Sequence, residues 1–185
     1  MLHIHIAETE KEVADCRAKH GLTPVQYLDR LGFLGPDVLG AHCVWLTDED
    51  VSILAERGVT VAHIPVSNMK LSVGEEFDLQ RLLDAGVRVT IGTDGCSSNN
   101  NLDMFEEMKF AAISAKSRSG NPTCGAAKDI LAMTTSESAE YFSTGCATFE
   151  EGDSADVVLL DTAHPSMVPM HNAVSNVVYS ASGSV

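Results

Sequence analysis

The sequence has 185 residues, 44% of them hydrophobic, which is enough to bury one sizeable core. Its formal charge of −14 would repel a phosphate backbone, so nucleic acid is not an expected partner. No apolar run approaches the roughly 20 residues that cross a bilayer, so no membrane association is expected either.

The first strand-like run is LHIHIA (2–7), rich in Ile and short enough to be a buried strand. A helix is expected over 9–19, and a second over 23–31 with Thr23 as N-cap and Pro24 at the first helical position. VLGAHCVWL (38–46) is the next strand. TDEDVSILAERG (47–58) reads as a helix with Thr47 as cap, acids in its first turn and Gly58 just past its end. GVTVAHIPV (58–66) and GVRVTIGTDG (86–95) are the third and fourth strands, separated by a helix over 77–86. The longest helix covers 102–118, and shorter helical stretches fall near 125–133 and 136–142. ADVVLLD (155–161) and AVSNVVYSAS (173–182) are expected to be β strands of a separate small unit, joined by the proline-bearing loop TAHPSMVPMHN.

Strand–helix repeated four times implies parallel strands covered by helices. Four units do not close a barrel, since a complete (βα)8 barrel takes about 250 residues. In such sheets reactive groups gather at the carboxyl ends of the strands. Here those ends carry His5 and Glu8, then His42, then His63 with Ser67 and Asn68, then Asp94. Imidazole and carboxylate oxygen are donors suited to zinc or ferrous iron. A carboxylate beside the metal can move protons. Each residue taken singly has a plainer role: a strand histidine packs in a core, an Asp caps a helix, Ser and Asn make turns. Their joint placement argues for a site. His3 lies deeper on the strand than His5 and is read as structural. His63 precedes a Pro turn and is also read mainly as structural. His20, His164 and His171 fall in loop-like, solvated sequence.

The five cysteines are odd in number and widely spaced, with no C-x-x-C, which points to a reduced, cytoplasmic protein and away from thiolate zinc sites. No secretory leader is expected from the opening residues.

HIHIAET, GAHCVWLTDEDVSILAERGVTVAHIPVSNMKLSVG and IGTDGCSSNNNLDMFEEMK together resemble the amidohydrolase superfamily. Within it, they resemble the branch of 5-methylthioadenosine/S-adenosylhomocysteine deaminases and chlorohydrolase-like proteins. EEGDSADVVLLDT resembles the point where such chains return to a small β domain. The resemblance implies an α/β fold: the second half, strands five to eight, of a metal-dependent TIM-like (βα)8 barrel, plus part of a small β-sandwich. Residues 1–145 would be the barrel half and 146–185 the partial sandwich.

By the same resemblance, His5 is the fifth-strand metal ligand and Asp94 the eighth-strand ligand of one divalent metal, zinc or alternatively iron. The implied reaction is hydrolytic deamination of an adenine-type nucleoside at a C–N bond of a cyclic amidine, by metal-activated water. Asp94 would also accept the water's proton, Glu8 would protonate the ring nitrogen, and His42 would orient the water. Glu8, His42, Asp94, Ser67 and Asn68 would line the substrate site. Guanine deaminase or triazine and chlorohydrolase-like chemistry would use the same motifs.

The His-x-His pair of the family's first strand has no counterpart, because Glu8 and Thr9 place His3-Ile4-His5 at strand five. The expectation is therefore a C-terminal-half fragment, catalytically incomplete alone, with open sheet edges. A complementary N-terminal half or a second copy would cover those edges.

Overall fold

The computed structural model describes residues 1–74, 77–144 and 150–184. β1 (Leu2–Ile6), β2 (Val38–His42), β3 (Thr60–His63) and β4 (Arg88–Ile91) form one parallel sheet in the order β1-β2-β3-β4. The register pairs Ile6 with His42 and His63 with Ile91, so the carboxyl ends lie side by side.

The crossovers are helical, as parallel neighbours require. β1 is followed by α1 (Glu10–His20) and α2 (Pro24–Arg30), and β2 by α3 (Asp48–Arg57). Thr23 with Gln26 and Thr47 with Asp50 make reciprocal capping boxes, and Gly58 ends α3 in the left-handed region. β3 leads into α4 (Pro65–Lys70) and then α5 (Leu79–Asp84). After β4 come α6 (Cys96–Asn99), α7 (Met104–Ser119), α8 (Ala127–Thr134) and α9 (Ser136–Phe142).

The strands alternate their faces. Ile6, Val38, Val61 and Val89 are fully buried against the helices in the main core. Leu39, Ala41, Ala62 and Ile64 form a smaller cluster on the opposite face, with Tyr141 of α9 packed on it.

Four expectations need correction. The strands end one to four residues earlier than their apolar runs suggest: Ala7, His42 and Cys43 adopt positive φ angles of 50°, 70° and 49° and turn the chain out of the ladder after β1 and β2, Pro65 opens α4 after β3, and Asp94 at 62° turns the chain beyond β4. Ser67 and Asn68 lie within helix α4, not in a loop. The expected strand over 173–182 is instead α10 (Ala173–Tyr179), packed on α7 and α8. Val174, Val177 and Val178 share a helical face, and Asn172 Oδ1 caps the turn by accepting from the Ser175 N–H at 2.9 Å. Residues 155–161 join no ladder among the described residues. The loop between these segments holds a short 3-10 turn, Pro165–Met167. Residues 145–149, at the expected boundary between the two units, lie outside the described residues. No helix among the described residues is long and apolar enough to cross a membrane.

Candidate active site

β1 delivers two of the candidate groups. His5 projects from the sheet face that bears Leu39 and Ala41, into a cavity of about 360 Å³ that Asp94 also lines. His3 stacks parallel to His5, ring centroids 6.5 Å apart, and lines the same cavity. After Ile6 the left-handed Ala7 swings the chain around and presents Glu8. That turn is fixed by Glu12 of α1, whose two carboxylate oxygens accept the Ala7 and Glu8 N–H groups, each at 2.8 Å. Thr9 caps the same helix by accepting from the Glu12 N–H at 3.2 Å.

His42 ends β2 and is fully buried. Its Nδ1–H donates to Asn68 Oδ1 at 2.8 Å. In the neutral ring that bond leaves the lone pair on Nε2. Nε2 has no hydrogen-bond partner among the described residues; it lies 3.9 Å from Glu8 Oε2. The His5 and His42 rings are 5.0 Å apart.

Asp94 follows β4 with a left-handed backbone. Ser67 Oγ donates to its Oδ2 at 2.8 Å, and the Gly95 N–H donates to its Oδ1 at 2.7 Å. Partial burial pushes the Asp94 carboxyl up, but the bonds from Ser67, Gly95 and Ser98, together with His42, outweigh it and hold the group below the usual carboxylate range. Asp94 is therefore an anion whose lone pairs are directed by three donors.

The residues expected from sequence thus come together: Glu8 meets His42, His42 meets His5 and Asn68, and Asp94 meets Ser67 and shares the His5 cavity. His63 does not join them. It is buried on the other face against Phe77, ring centroids 4.0 Å apart, where burial and then His42 push its pKa down to about 3. His20 is not solvated loop either; it closes α1 and stacks on Tyr27 at 4.0 Å.

The donor set suits a borderline metal such as zinc: an imidazole and an ionised carboxylate share one cavity, and a buried imidazole nitrogen nearby lacks a partner. Among the described residues, no group of three or more His, Cys, Asp or Glu is arranged to hold a metal ion. His5 and Asp94 bring two donor side chains to one cavity, fewer than a full metal-binding set.

Reasoning from sequence missed three supporting residues. Glu12 was findable, because Thr9-x-x-Glu12 has capping-box spacing. Asn99 and Glu107 carry no local signal. Asn99 Nδ2 donates both to the Thr93 carbonyl at 2.7 Å and to Glu107 Oε1 at 2.5 Å.

The amidohydrolase family pattern matches residues 1–184. This chain belongs to the amidohydrolase family. Its amidohydrolase relatives include the 5'-deoxyadenosine deaminase of Methanopyrus kandleri, 51% identical over 99% of this chain and 42% of that protein. The 5-methylthioadenosine/S-adenosylhomocysteine deaminase 1 of Archaeoglobus fulgidus is 48% identical over 98% of this chain and 43% of that protein. Among solved structures, an adenosine deaminase from Xanthomonas campestris with bound zinc superposes with a TM-score of 0.92 at 38% identity, over 97% of this chain and 41% of that one. The zinc complex of an atrazine chlorohydrolase from Arthrobacter aurescens gives 0.85 at 27% identity, over 96% and 39%. The chain spans about two-fifths of the length of the curated relatives it matches.

Proposed function

We propose that this chain supplies the strand-end half of a metal-dependent deaminase acting on adenine-type nucleosides such as 5'-deoxyadenosine, 5-methylthioadenosine or S-adenosylhomocysteine. The observation that carries this reading is the shared cavity of His5 and Asp94, flanked by the His42–Glu8 contact. The deaminase names of relatives near 50% identity support the substrate class.

His5 and Asp94 would hold the metal, zinc in the first instance and iron in the second. A bound ion of this kind supplies the acidity that makes water a nucleophile near neutral pH. Asp94, kept ionised by Ser67 and Gly95, would serve as the acceptor for the water's proton. Glu8, held by the Glu12 clamp on its backbone, passes a proton to the ring nitrogen beside the attacked carbon. His42 presents its Nε2 lone pair to orient the water, with Asn68 fixing the tautomer. Ser67 and Asn68 serve the substrate through Asp94 and His42, since both are more than nine-tenths buried.

Residues 1–145 act as one half of a (βα)8 barrel, α10 packs on its helices α7 and α8, and the 155–161 segment contributes to a composite β-sandwich. The outer edges of β1 and β4, which pair with no strand among the described residues, and the exposed 157–159 segment favour that arrangement. A second reading is that the chain is catalytically incomplete by itself. It is favoured by the two-ligand set, and it calls for a complementary segment with a His-x-His strand, or another copy, to finish the site. Cytoplasmic residence accords with the free thiols of Cys16, Cys43, Cys96 and Cys124.

The test is to supply zinc and measure ammonia release from 5'-deoxyadenosine, 5-methylthioadenosine and guanine, beside chloride release from a chlorotriazine. Ammonia from the adenine nucleosides alone supports the proposal. Faster release of chloride, or of ammonia from guanine, replaces it. Substoichiometric zinc with no turnover of any substrate favours the incomplete site.

A further inference from the structure

Helix α4 begins poorly for a helix that carries two site residues. Ile64 at its N-cap has no side-chain acceptor, and Pro65 at its first position has no N–H. The next donor, the Val66 N–H, is taken by a side chain 41 residues away: Glu107 Oε2 on α7 accepts it at 3.2 Å. Glu107 is 1% exposed. Its other oxygen accepts from Asn99 Nδ2, and that amide also holds the Thr93 carbonyl beside Asp94.

One buried carboxylate therefore joins the first turn of α4, which bears Ser67 and Asn68, to the turn that bears Asp94. These are the two ends of the Ser67–Asp94 hydrogen bond. Packing alone does not call for a carboxylate here, since an apolar side chain of similar shape would fill the space without the cost of desolvating a charge. That cost is visible: burial pushes Glu107 up to about 7, although the bonds from Val66 and Asn99 pull it down.

We propose that Glu107 is a positioning residue that, through Val66 and Asn99, sets the spacing between α4 and the Asp94 turn. It thereby holds both the Ser67–Asp94 and the Asn68–His42 hydrogen bonds in register. The consequence for turnover rests on the function proposed above; the clamp itself does not. Both Glu107 oxygens receive donors, so Glu107→Gln leaves one acceptor and turns an N–H onto the other donor. Asn99→Ala releases the same two elements from the opposite side.

Residue-resolved hydrogen exchange by NMR on the 185-residue chain tests the clamp without requiring turnover. In Glu107→Gln, the Val66 amide is expected to exchange about tenfold faster, as for a lost hydrogen bond; in Asn99→Ala, which keeps the Val66 acceptor, it is expected to exchange faster by a smaller factor. The hydrogen-bonded His42 Nδ1–H signal should broaden or vanish, while the paired amides of β1 and β2 keep their rates. The parent chain, brought to the same loss of stability with urea, should instead show faster exchange throughout the sheet. In any preparation that deaminates 5'-deoxyadenosine, kcat should fall roughly 10- to 100-fold with KM little changed. Uniform acceleration in Glu107→Gln, or an unchanged Val66 amide with an intact His42 signal, overturns the proposal. Absence of deamination in the parent chain favours the incomplete site described above and leaves the hydrogen-exchange test of the clamp as it stands.

Discussion

Two apolar stretches of this chain, both expected to be strands, meet different fates. Val38–His42 lies in the middle of the sheet, and every residue in it is buried. Residues 155–161 are as rich in Val and Leu, yet Val157, Val158 and Leu159 are 48%, 75% and 88% exposed and pair with no strand among the described residues. Composition nominates a strand; a neighbouring edge and a covering layer make one. The first stretch has both, because β1 and β3 flank it and α1 to α3 cover one face. The reactive groups follow the same rule, being confined to the ends of strands whose bodies are locked in place.

Substitutions should separate the two regions by their effects. The largest effect is expected at Glu8. Glu8→Gln in an active preparation should keep the metal and lower turnover by about 10²–10⁴, because the amide is nearly isosteric but cannot move a proton. Near-normal turnover would remove Glu8 from the chemistry, and metal analysis of the same sample separates that outcome from loss of the site. Next comes the body of the first region. Leu54→Ala, at a fully buried position of α3, should cost about 2–5 kcal/mol in urea unfolding.

A smaller effect depends on pH. Folded His63 stays neutral down to about pH 3, whereas unfolded histidine takes up a proton near 6.5. Stability is therefore present above 6.5 and is lost as pH falls through that window, by up to about 1.4 kcal/mol per pH unit. His63→Phe keeps the stack on Phe77 and should flatten that part of the pH profile. An unchanged slope would mean that His63 protonates while folded. The smallest effect belongs to the second region: Leu159→Ala should shift stability of the chain alone by no more than about 0.5 kcal/mol. A loss comparable to that of Leu54→Ala would show that the segment is covered after all.

The same contrast explains what could be read from sequence. The four parallel strands were legible because each is a short apolar run followed by a helical pattern, although β1, LHIHI, proves largely exposed on one face. Helix starts were legible from Thr23-Pro24 and from Thr47 with its acids. Helix α4 was not, because Pro65 followed by Ser67 and Asn68 also spells a turn; Pro at a first helical position was the competing signal. His5, Glu8, His42 and Asp94 were legible as strand-end residues. Their partnerships were not: His42 with Asn68 spans 26 positions and Val66 with Glu107 spans 41. A glutamate on a helix reads as solvent-facing until the fold buries it. The helix over 173–179 was misread because its valines suit a strand equally well, and only packing on α7 and α8 decides between them.

The central claim is that this chain's strand-end cluster is a working half of a nucleoside deaminase site. Exchanging these 185 residues for the matching stretch of the Methanopyrus kandleri 5'-deoxyadenosine deaminase tests it most directly. The account predicts a chimera that holds zinc and deaminates 5'-deoxyadenosine, and that loses both properties on Asp94→Ala. A folded chimera that binds zinc without deaminating, or whose zinc and activity survive Asp94→Ala, would contradict it.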